Sequence, residues 1–112
     1  MNESEFRVFF ESFVDAQKDA ELRGLLRQCL FNVAVSRLTG DRCFVIVSPS
    51  LEIGEKLKQE VYRMRAISDL NLARLNRLII YSIGSDPSNP LLVGVWGIYS
   101  PRAFEIQLTP IW

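Results

Sequence analysis

Chemistry near neutral pH usually relies on a side chain that exchanges a proton there, and this 112-residue chain contains no histidine, the group best suited to that task. Serine–histidine and cysteine–histidine nucleophile pairs are therefore excluded. Cys29 and Cys43 both fall in apolar patterns, where a buried structural thiol is the ordinary reading. Arg42, next to Cys43, is the one neighbour that argues for a lowered thiolate pKa. Two cysteines fourteen positions apart plus carboxylates make a poor zinc donor set, so no metal or other cofactor is expected. Glu52, Glu55 and Glu60 lie on the polar side of a helical pattern and Glu105 on the polar side of a strand pattern, so solvation accounts for them without catalysis. The six glycines form no phosphate-binding loop. Gly94 and Gly97 lie in a strand pattern, where glycine marks a bulge or a close backbone approach. No enzyme is expected.

Groups that could bind are better represented. Arg63, Arg65, Arg74 and Arg77 fall within fifteen residues, and a guanidinium pairs bidentately with carboxylate or phosphate. Part of this grouping answers the helix dipole, which draws bases to a carboxyl terminus. Nucleic-acid binders usually add a strong positive balance and interleaved aromatics, whereas this chain is neutral and offers only Tyr62 nearby. Tyr99 and Trp112 complete the candidate surface. A tryptophan at a chain end gains little unless it docks on its own domain or on a partner, and tryptophan and arginine dominate interface energetics.

The composition bounds what can position these groups. A hydrophobic fraction of 48% and a charged fraction of 23% describe an ordinary globular chain, and the length suits a single domain, residues 1–112. No apolar run reaches the roughly 18 residues of a membrane span, and the acidic start Met1-Asn2-Glu3-Ser4-Glu5 lacks the pattern of a secretory signal. A cytoplasmic protein that makes no membrane contact is expected. Charge is unevenly spread: residues 1–21 carry a surplus of four negative charges and residues 22–77 a surplus of five positive ones. Such a chain pairs acidic with basic surfaces, within one molecule or between two copies.

Along the chain, Phe6, Phe9, Phe10, Phe13 and Val14 form a helical stripe, predicting a helix from about residue 3 into the low twenties. Residues 22–38 admit two readings. Leu22, Leu25, Leu26, Cys29, Leu30, Val33 and Ala34 fit a helical period, but Gly24 and the β-branched Val33 and Val35 oppose it. The preferred reading is a hairpin of 29–37 with 43–48, Phe44 opposite Val35 and Ile46 opposite Val33, with Cys43 opposite Ser36 and thus too far from Cys29 for a disulfide. Ser48 and Pro49 then open a helix with Ile53, Leu57, Val61 and Met64 on one face. Residues 68–77 are either a short helix or a loop. Three strands follow: Leu78–Ile83, Leu91–Tyr99 and Ala103–Thr109, the first two separated by the turn formers of 84–90.

The fold class is therefore α+β, order α-β-β-α-β-β-β, with one antiparallel sheet of about five strands and two helices packed on it. The alternative is an N-terminal helical hairpin followed by β-α-β-β-β. The preferred order resembles that of profilin-like folds, a group that includes PAS, GAF and roadblock architectures, with no family motif behind the resemblance. The expected function is a non-catalytic protein–protein interaction or regulatory domain, self-associating as a homodimer, that works by binding another protein through its sheet face, Trp112 and the arginine group. A small-ligand sensor is the alternative, and a nucleic-acid contact or an enzyme ranks behind both.

Overall fold

The computed structural model describes residues 3–65 and 74–98. Its elements are α1 (Glu3–Asp15), α2 (Ala20–Leu26), β1 (Leu30–Val35), β2 (Arg42–Ser48), α3 (Leu51–Gln59), α4 (Val61–Arg65), β3 (Arg77–Ser82) and β4 (Leu91–Gly97). The fold is α+β, and the four strands among the described residues form one mixed sheet in the order β1-β2-β3-β4. The outer pairs are antiparallel and the central pair, β2 with β3, is parallel. The wholly antiparallel sheet implied by the profilin-like order is corrected by this central pair. Parallel neighbours require a crossover that carries the chain back to the starting end, and residues 49–76, with α3 and α4, supply it. The fifth predicted strand, 103–109, lies outside the described residues.

The predicted first helix is two. Asp19 adopts extended backbone and its carboxylate accepts the Glu21 amide at 2.8 Å, so α2 starts afresh with its own cap. Residues 22–38 satisfy both readings in turn: helix to Leu26, then strand from Leu30. The hairpin forms, but two residues out of the expected register, with Val33 opposite Phe44 and Phe31 opposite Ile46. Its turn is tighter than expected because the Ser36 amide bonds the Asp41 carbonyl and Gly40 takes a φ of +74°. A slip of two keeps every side chain on its intended face. Ala34, not Ser36, now faces Cys43, and both thiols are free and buried.

Helices cover one face of the sheet. Phe13, Leu22, Leu26, Leu57 and Met64 from the helices bury with Phe44, Ile46, Leu78 and Ile80 from the strands. Phe13 meets Phe44 edge to face at 4.9 Å, a preferred aromatic geometry. The expected stripe of α3 and α4 is present, with Leu57, Val61 and Met64 buried and Ile53 packed against them. Its cap is corrected by two residues: Ser50 accepts the Ile53 amide, while Ser48 ends β2. The Ser48 hydroxyl lies 2.7 Å from that of Ser82, and it donates to the Ser50 carbonyl. Gly54 sits on this pair, and a Cβ there would collide with the Ser82 hydroxyl. Where glycine was expected to mark a bulge or a close approach, β4 carries both. Its register shifts opposite Ile80 and Tyr81, and the Trp96 ring lies across Gly94.

Candidate functional site

The face of the sheet turned away from the helices is also apolar. By register it carries Leu30, Asn32 and Ala34 from β1, Cys43, Val45 and Val47 from β2, Arg77, Ile79 and Tyr81 from β3, and Val95 from β4. Cys43 and Ile79 are buried at its middle, with Val45, Tyr81 and Val95 packed round them. Towards β1 the face opens. Leu30 is 68% exposed, and past the strand end Leu38 is 72% exposed. A groove of about 420 Å³ runs between the hairpin and β3, with Ala34, Leu38, Cys43, Val45, Ile79 and Tyr81 in its lining.

Among the described residues, the outer edge of β1 carries a defined set of backbone groups without a strand partner. In an antiparallel ladder, pairs that exchange backbone bonds alternate with pairs that do not. The Ser36 to Asp41 bond starts that alternation, so Ala34, Asn32 and Leu30 bond β2 while Phe31, Val33 and Val35 turn their amides and carbonyls outward. The Val33 amide reaches the Asn32 side-chain oxygen at 2.9 Å, as expected of a group without a strand partner. Native edges are usually protected by charge, proline or a bulge. Residues 28–36 contain neither a charged residue nor a proline, and β1 pairs with β2 without irregularity. This uncharged run was visible in the sequence, but its meaning depends on β1 lying at the edge, which the sequence does not state.

The four arginines do not converge. Arg63 is exposed on α4 and pairs with Asp19 at 3.4 Å and Glu60 at 3.3 Å. Arg65 closes α4, and its side chain is not among those described. Arg74 is exposed, with φ of 57°. Arg77 is buried on the helix-free face, pairs with Asp41 at 2.6 Å and has no partner for its Nε among the described residues. The patch is thus divided between the two sides of the sheet, because α4 and β3 point their polar groups differently. Tyr99 and Trp112 lie outside the described residues.

Burial pushes the Cys29 thiol up to about 11. It also raises Cys43, where the charge of Arg77 opposes the shift without cancelling it. Arg42, expected from sequence as the lowering neighbour, is replaced in that role by Arg77, which lies opposite Cys43 in the parallel register. Neither environment favours a thiolate nucleophile. Among the described residues no three cysteine or acidic side chains gather as a metal site, and no helix is long and apolar enough to cross a membrane. Comparison with protein-family models, curated proteins and solved structures finds no significant match to this chain.

Proposed function

We propose that this chain is a non-catalytic interaction or regulatory domain that works by protein contact and associates with itself through the β1 side of its sheet. The observation that carries this reading is an uncharged edge strand with exposed apolar side chains on both of its faces, Leu30 on one and Val35 on the other, and Leu38 just past its end, a combination natural monomers avoid. The dispersal of the arginines moves the expected surface from the arginine group to β1. Trp112 stays in the reading as an anchor on the strength of its residue type alone. Light scattering on the intact chain and on Leu38→Lys and Trp112→Ala variants tests it. The expected result is a species larger than the 12.8 kDa chain that Leu38→Lys disperses. A wild-type monomer at every concentration refutes self-association.

The groove of about 420 Å³ keeps the ligand-sensor reading in view, because its size falls in the range of roughly 300–1,000 Å³ typical of small-molecule sites. It lies on the helix-free face, not between helix and sheet. Thermal-shift screening with apolar acids discriminates: a saturable rise in Tm, lost on Ala34→Trp, favours the sensor.

A further inference from the structure

The geometry points to a two-fold dimer in which β1 pairs antiparallel with β1 of a second copy, centred on Val33. This inference rests on the self-association reading and specifies its mode. Phe31, Val33 and Val35 carry the outward backbone groups, as the Ser36 to Asp41 bond requires. Antiparallel hydrogen-bonded partners exchange both bonds. Only a register that sets Val33 against itself and Phe31 against Val35 of the partner uses all three outward residues on both chains. It also satisfies the isologous symmetry of a closed dimer. The result is one continuous eight-stranded sheet, four strands from each copy, with the helices of both on the same side. Strand addition of this kind draws affinity from the backbone and selectivity from the flanking side chains.

The side chains agree with that register. Val35, 62% exposed, comes beside the partner's Phe31, at a cleft of about 390 Å³ lined by Phe10, Glu11, Val14, Asp15, Arg27 and Phe31. Arg37, exposed and without an ion pair among the described residues, extends past Val35 to the level of the partner's Cys29. There it meets the cleft's acidic rim. Asp15 on that rim already holds Arg27 at 3.4 Å, whereas Glu11 has no ion pair among the described residues. Charge is thus complementary twice over, once on each side of the axis. Asn32 must release the Val33 amide for the strands to meet.

The test uses the full chain and three variants. Val33→Pro removes an amide that makes no bond to β2, so the hairpin keeps its ladder while the centre of the pairing is blocked. The expected outcome is a monomer with the wild-type circular dichroism spectrum. Glu11→Arg and Arg37→Glu each weaken the dimer, roughly tenfold for two exposed pairs, and combining them restores it. The charge swap keeps the inference open to refutation if Val33→Pro does not fold. Amide exchange at Phe31, Val33 and Val35 slows in the dimer relative to the dilute monomer. A dimer that Val33→Pro leaves intact, or in which those three amides exchange as fast as in the monomer, overturns strand pairing and leaves self-association standing. A wild-type chain that is monomeric at every concentration overturns both.

Discussion

Cys29 and Cys43 are the only nucleophilic side chains the chain offers near neutral pH, and their surroundings keep them protonated. Ellman's reagent should leave both unmodified in the native protein at neutral pH and titrate both after denaturation, since burial denies access as well as ionisation. A fast native reaction at Cys43 would reopen the enzyme reading. The same burial sets a pH dependence. Below about 9 both folded and unfolded states hold the Cys29 proton; above it the unfolded state releases the proton while the folded state, with its pKa near 11, does not. The unfolded state then binds fewer protons, so stability falls as pH rises from 9 towards 11, and a Cys29→Ala variant should lose that part of the slope in urea titrations. Tyr81, also raised by burial, acts in the same direction. Arg77 has a structural role that the sequence could not assign, because its partner Asp41 is 36 positions away. Asp41→Asn leaves a buried guanidinium without counter-charge. Its expected cost is about 2 kcal/mol, below the roughly 3–5 kcal/mol of a fully buried pair, because Asp41 is still partly exposed.

Element packing concentrates at one junction, where α3 lies against the ends of the parallel strands. Gly54 allows that approach, and Gly54→Ala tests it. In an exposed helix this change stabilises by about 1 kcal/mol. Here the new methyl meets the Ser82 hydroxyl, which is fully buried and held by Ser48, so overpacking of about 1–3 kcal/mol prevails. Chemical denaturation should show a net loss, and Ser82→Gly added to Gly54→Ala should recover most of it. The junction also shows why the topology was only partly legible. Hydrophobic periods located β2, β3 and β4 and the starts of α1 and α3 to within a few positions, while the carboxyl end of α1 was placed several residues too late. Strand direction is not a property of one segment. Even so, Cys43–Val47 and Leu78–Ile83 are nearly unbroken apolar runs, the pattern of strands covered on both faces, and that pattern was a sign of the parallel pair. The hairpin slipped by two because alternation fixes which face a side chain takes and not how tightly the turn closes. The break at Asp19 was missed although the first apolar stripe stops at Val14, because the polar residues of 15–21 read equally as the solvated side of a continuing helix and Asp19 as a cap is recognised only from its backbone.

At the scale of the whole molecule, the uneven charge of the sequence is partly closed within the chain. Arg27 meets Asp15 and Arg63 meets Asp19, both at 3.4 Å, joining the acidic amino-terminal region to the basic middle. Both pairs are exposed and contribute little each. Salt should therefore change the monomer's unfolding free energy by less than about 1 kcal/mol. The basic side chains of Arg37, Arg42 and Arg74 make no ion pair among the described residues, and Arg37 lies at the end of the β1 edge. If it reaches the acidic rim of a second copy, dimer dissociation must respond to ionic strength where monomer stability does not. Light scattering and urea unfolding at low and high salt separate the two. The expected outcome is a dimer that loosens with salt beside an unfolding curve that barely moves. A dimer that tightens instead would assign association to Leu30, Val35 and Leu38 alone, since excluded salts strengthen apolar burial, and would remove Arg37 from the interface.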